Sequence, residues 1–107
     1  MKYEVVITED AQRDLEEIIE YIESADSVGA ANHVLGQLEK VILGLNLYPE
    51  RGNYPKELVA TGMREYREKH FKPYRVIYRI VANKVHVYLV TDGRRDMLAL
   101  LSKRLLR

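Results

Sequence analysis

The hydrophobic period of this chain changes along its length, and that change decides what the chain can fold into. Lys2 to Thr8 alternates and is rich in β-branched residues, so it reads as a strand. Thr8 then stands at an N-cap position, with Glu9 and Asp10 in the first turn, where the helix dipole favours acids. Ala11, Leu15, Ile18, Ile19 and Ile22 recur at helical spacing and predict an amphipathic helix over residues 9 to about 24. Asp26 or Ser27 can cap a second helix. Its stripe is Ala31, Val34, Leu35, Leu38, Val41, Ile42 and Leu45, and it ends before Pro49, because the residue ahead of a proline resists the helical region. Two helices joined so closely make an antiparallel hairpin with its acids outward.

Beyond this the period is lost and then returns as alternation. Tyr48 to Gly62 (YPERGNYPKELVATG) has no period and reads as a loop with one helical turn. Three strands follow: Arg64 to Phe71, Pro73 to Val81 and Lys84 to Thr91, with a tight turn at Asn83 between the last two. Asp92-Gly93 breaks the last strand, and Arg95 to Leu106 forms a short C-terminal helix with a basic end. The order β-α-α-β-β-β-α defines an α+β fold. Its helical hairpin packs on one face of a four-stranded, mainly antiparallel sheet, and the first strand lies beside one of the later ones. The other face is expected to be partly open and to carry the basic side chains of the last three strands.

At 107 residues the chain is expected to be a single domain, residues 1–107, with one core and no room for a deep cleft. It has no cysteine, which excludes a disulfide framework and thiolate chemistry and fits a reducing cytoplasm. The first residues do not have the form of a signal peptide, and no apolar run approaches the ~20 residues of a membrane span. A formal net charge of +1 conceals a strong sorting. Residues 1–50 carry three Lys+Arg against eleven Asp+Glu, a balance of −8, and residues 51–107 carry fourteen against five, +9. The basic half is where a polyanion or an acidic partner is expected to bind.

No standard catalytic constellation is present. His33, His70 and His86 lack zinc-ligand spacing, the glycines form no phosphate loop, and neither metal nor cofactor is expected. The cations are more informative. Arg64, Arg67 and Lys69 lie in the second strand, Arg79 lies in the third, and Arg94 and Arg95 follow the fourth. All are candidates for contact with a target or a nucleic acid, and Tyr66, Tyr74, Tyr78 and Tyr88 are candidates for stacking on bases. Tyr74 and Tyr78 share a strand face and also read as core, as does Tyr3. Arg75 interrupts an otherwise apolar strand and is expected to be half buried against an anion, with Asp92 or Asp96 as the partner. His70 is read as standing among cations, which disfavours its charged form and makes it a candidate neutral base.

Four segments in order resemble the RelE/ParE superfamily of toxins from type II toxin–antitoxin modules: AQRDLEEIIEYI (11–22), LYPERGNYPKEL (47–58), REYREKHFKPYRVIYRI (64–80) and VYLVTDGRRDMLALLSKRLL (87–106). Together they cover nearly the whole chain, and PYRVIYRI followed by DGRRD is the most specific part. The resemblance implies a cognate antitoxin, acidic or amphipathic in its toxin-binding segment, that lays a helix on the hairpin or adds a strand to the sheet edge. It also implies one of two actions. RelE-like members cut mRNA on the ribosome, and ParE-like members poison DNA gyrase and cut nothing themselves. Under the RelE-like reading the catalytic candidates are Arg75, Arg95 and His70. The paired lysines of that type, however, fall near Tyr66 and Glu68, with Arg67, Lys69 and His70 adjacent as the candidate substitutes, and the expected C-terminal tyrosine falls near Leu101. These departures tilt the expectation towards the ParE-like action. Expression without growth arrest would mark a third case, a member acting only in an autoregulatory complex.

Overall fold

The computed structural model describes residues 2–105. Strand β1 spans Glu4–Ile7, helix α1 Glu9–Ala25 and helix α2 Val28–Gly44. A 3-10 turn at Pro49–Arg51 and a one-turn helix α3, Lys56–Val59, follow. Then come β2 (Tyr66–Phe71), β3 (Tyr74–Val81), β4 (Lys84–Asp92) and helix α4 (Met97–Leu105). The strand order is β1-β4-β3-β2, with β1 parallel to β4 and the other pairs antiparallel. This is the expected β-α-α-β-β-β-α order. No helix among the described residues is long and apolar enough to cross a membrane.

Local chemistry sets the boundaries. The Thr8 hydroxyl accepts from the Ala11 amide at 3.1 Å and caps α1. Ser27, not Asp26, caps α2, accepting from the Ala30 amide at 3.0 Å. The loop holds two short helical turns rather than one. Asn53 makes a two-way backbone bridge to Glu68, at 3.0 and 2.7 Å. The loop therefore runs along the free edge of β2 and covers part of it. Strand β2 begins at Tyr66 and not at Arg64, because the β3 residues past Arg79 pair with β4 alone. Helix α4 begins at Met97, with the Asp96 carboxylate accepting from the Ala99 amide, and the expected helix end at Leu106 lies outside the described residues.

The sheet separates two apolar clusters. Val76 and Tyr78 of β3, with Val85, Val87 and Val90 of β4, pack under Ala11 and Leu15 of α1 and Leu38 and Ile42 of α2. Val87 and Val90 are three apart, yet both reach the hairpin. The register shifts between Ile77 and Tyr78, whose partners are Leu89 and Val87, and this leaves Tyr88 as an extra residue. Tyr78 is fully buried and donates to the Pro49 carbonyl at 2.6 Å, which pins the loop to the core. Burial pushes its phenol up to about 12, so it stays a donor.

The second face, expected to be partly open, is covered by α3 and α4 over its middle and leaves His70 and Val81 exposed. Leu58 of α3, Met97 and Leu101 of α4, and Tyr66, Ile77 and Leu89 of the sheet form the second cluster. Arg104 fastens α4 across the sheet to α1. It donates from both terminal nitrogens to the Asp14 carboxylate at 2.8 and 3.0 Å, and to the Tyr88 carbonyl at 2.8 Å. Asp14 also accepts from the Val90 amide. The basic end of the C-terminal helix is thus consumed in part by the fold.

Candidate functional site

Arg75 lies on the second face of β3 with only 8% of its surface exposed. Its Nε donates to Glu68 Oε1 at 2.7 Å, and its terminal nitrogens grip both Glu57 oxygens at 2.9 and 2.8 Å. Each partner has its own origin. Glu68 stands on neighbouring β2, and Glu57 is delivered by α3, which starts after Pro55. Gly93 completes the seat, since a Cβ there would stand 2.6 Å from Arg75 Cδ. The expected partners Asp92 and Asp96 are engaged elsewhere: Asp92 holds Arg94 and Asp96 caps α4. The Glu57 hydrogen bonds, ahead of all other causes, raise the Arg75 guanidinium further, and the same bonds hold the Glu57 carboxyl below the usual range against its burial.

The three groups carry a formal balance of −1. Glu68 Oε2 also lies 3.3 Å from His70 Nε2, so a carboxylate joins the cations Lys40, Arg51 and Lys69 around that imidazole, which the sequence did not show. A guanidinium held by three carboxylate oxygens in a net-negative, buried cluster is poorly placed to stabilise developing negative charge on a phosphate.

Because Glu57 has a depressed carboxyl in the fold, its contribution to stability is complete above the unfolded value near ~4.3 and is lost as pH falls through the folded value. Glu57→Gln is therefore expected to lower the urea midpoint at pH 7, with the gap to wild type closing below about pH 4.3. A gap of constant size down to about pH 3 would contradict the ion pair.

The remaining candidates fall into three groups. Arg94 is exposed and clasps Asp92 through two nitrogens. It lines a cavity of about 390 Å³ with Arg95, but Asp14, Glu17 and Asp92 share that cavity, so its walls are of mixed sign. Arg64, Arg67 and Arg79 meet in a depression of about 270 Å³ at the free edge of β2. Lys69 lines a neighbouring depression of about 290 Å³ with Lys40, Tyr48, Arg51 and His70. The structure thus brings Arg64, Arg67 and Arg79 together and leaves Arg75, Arg94 and Arg95 apart from them.

Of the tyrosines expected to stack on bases, Tyr66 and Tyr78 are buried and Tyr74 packs against the hairpin core. Sequence reasoning missed Glu57, Arg51, Tyr48 and Tyr54, all in the aperiodic loop. The only available signal was the loop's own composition, with a tyrosine ahead of each proline and a cation between them.

A helical hairpin on a four-stranded sheet, the arrangement found here, has counterparts of the same fold among solved structures. In fold the chain is similar to the chromosomal ParDE toxin–antitoxin system from P. aeruginosa, with a TM-score of 0.72 at 13% identity over 85% of this chain and 96% of that one. E. coli toxin RelE, solved as a double mutant in the free state, aligns with a TM-score of 0.68 at 18% identity over 98% and 99%. The toxin–antitoxin complex RelBE2 from Mycobacterium tuberculosis aligns at 0.63 with 20% identity over 86% and 99%. In sequence the chain is similar to Toxin ParE3 of Caulobacter vibrioides, 27% identical over 100 residues, covering 94% of this chain and 96% of that protein. Residues 5–97 match the family described as ParE toxin of type II toxin–antitoxin system, parDE, and the chain belongs to that family.

Proposed function

We propose that this toxin arrests growth from the cytoplasm by poisoning DNA gyrase and does not cut RNA itself. The observation that carries the reading is the buried Arg75 cluster. At Arg75, the arginine a RelE-like ribonuclease would use, the positive charge lies between two carboxylates and is not free to meet a phosphate. Leu101 adds support. It is 1% exposed in the second core, so it can neither stack on a base nor move a proton. Membership in the ParE family favours the same action.

A cognate antitoxin belongs to this reading. The groove between α1 and α2 suits an amphipathic helix. Leu15, Ile19, Leu35, Ile42 and Leu43 give it an apolar lining, and Glu16, Glu20 and Glu39 line it too, so basic flanks on that helix would be favoured.

The test is a supercoiling assay with purified gyrase and relaxed plasmid. Loss of supercoiling with accumulation of cleaved DNA is expected. Unchanged supercoiling at toxin in excess over gyrase would overturn the reading.

A further inference from the structure

The fold sorts its arginines into two populations. Arg13, Arg75, Arg94 and Arg104 each hold a carboxylate. Arg51, Arg64, Arg67, Arg79 and Arg95 have no carboxylate within 4.0 Å among the described residues; Arg95 lies past β4, and the other four line the depressions beside β2, Arg79 reaching there from neighbouring β3. Their contacts are to rings and neutral oxygens. Arg51 lies over the Tyr48 ring at 4.0 Å, and Arg67 and Arg64 lie over Tyr54 at 4.5 and 5.5 Å. Arg79 lies over Tyr66 at 6.0 Å. Arg67 also donates to the Glu50 and Gly52 carbonyls and to the Tyr54 hydroxyl.

Such contacts orient a guanidinium without neutralising it. A ring beneath the plane shields one face and leaves N–H edges free to grip an anion in bidentate fashion. The result is a set of positioned, uncompensated charges. Lys69 extends the row. It follows Arg67 on the same face of β2, two residues and about 6.8 Å along, and it shares its depression with Lys40 and Arg51. Glu65 lines one depression, so the balance there remains positive. Tyr48 and Tyr54 are 56% and 37% exposed, leaving ring surface for a base.

We propose that this β2 edge, built by Arg51, Arg64, Arg67, Lys69 and Arg79 on a footing of tyrosines, binds the phosphodiester backbone of nucleic acid. The site does not use the Arg75 guanidinium and is independent of the gyrase reading.

Fluorescence anisotropy of the full chain with labelled oligonucleotides of about 20 nucleotides tests it, the length exceeding the usual single-strand site of ~4–16. Single-stranded DNA, duplex DNA and single-stranded RNA form separate arms, and the arm bound most tightly identifies the source of the backbone. The ridge variant is Arg51→Gln/Arg64→Gln/Arg79→Gln, which leaves the loop-holding Arg67 in place. The charge-matched control is Arg13→Gln/Lys84→Gln/Lys103→Gln. Circular dichroism establishes that each is folded.

Wild type is expected to bind with a falling log–log salt dependence. The ridge variant should lose about tenfold or more in affinity, and its slope on single strands should shrink by about 2, at ~0.7 per phosphate contact. The control should bind within about threefold of wild type once its lower net charge is allowed for. No binding by wild type in any arm at about 50 mM salt overturns the proposal, as does a control that loses as much as the ridge variant. Gyrase is absent from the assay, so either reading can fail while the other stands.

Discussion

Arg75→Ala is expected to lower the unfolding free energy by about 3–5 kcal/mol, because it strands two buried carboxylates without their cation. For a chain of this size that corresponds to a fall in melting temperature of more than about 10 °C. The side chains concerned are 10%, 13% and 9% exposed for Arg75, Glu57 and Glu68, so solvent cannot take over the missing interaction. A loss of toxicity in this variant would follow from unfolding and would not identify Arg75 as a catalyst. Thermal melting of the purified variant separates the cases. A stable, folded Arg75→Ala protein would contradict the account, since a catalytic arginine can be removed without cost to the fold and a structural one cannot.

Gly52→Ala is the second large effect, expected at about 3 kcal/mol or more. Gly52 has φ −69° and ψ 152°, which any residue can adopt, so the demand is for space and not for backbone freedom. A Cβ there would overlap the Tyr78 hydroxyl and stand 2.8 Å from its Cζ and 2.9 Å from the Glu68 carbonyl oxygen. None of these can retreat. Tyr78 is fully buried and bonded to Pro49, and the Glu68 carbonyl accepts from the Asn53 amide. The strain falls on the contact that lays the loop along β2, and so on the site of Arg51 and Tyr54. Removing the hydroxyl with Tyr78→Phe should recover about 1 kcal/mol of the Gly52→Ala cost, read as coupling in a double-mutant cycle of urea unfolding. Strict additivity would show that the clash is not with Tyr78.

Both effects turn on partners the sequence did not reveal: it marked Arg75 as needing an anion but pointed to Asp92 or Asp96, and it gave Gly52 no neighbour. The elements were legible because the core is periodic. The hairpin follows from apolar residues three and four apart, and β3 from Val76 and Tyr78 alternating against Arg75 and Ile77. Leu101 as an apolar replacement was equally visible. The loop from Tyr48 to Gly62 was not, because its contacts are non-local: Gly52 answers to Tyr78, and Glu57 to Arg75. The cover that α4 gives the second face was hidden for the same reason. Met97 and Leu101 were assigned to a helix, but nothing local shows that Arg104 draws that helix over the sheet to Asp14. Charge sorting directed attention to the basic half, yet it counts Arg75 and Arg79 alike. Only the structure separates the guanidinium that is neutralised from the one that lies over a ring.

The central claim, that the charge of Arg75 is spent on the fold and not on chemistry, has a direct test in the triple variant Arg75→Met/Glu57→Leu/Glu68→Met. Replacing a whole buried ionic cluster by apolar side chains of similar volume is often neutral or stabilising, so this protein should fold where Arg75→Ala does not. Assayed against gyrase after its melting curve is recorded, the folded triple variant is predicted to inhibit supercoiling at the same concentration as wild type. A triple variant that folds and leaves gyrase untouched, beside an active wild type, would contradict the claim and return Arg75 to the working surface of the toxin.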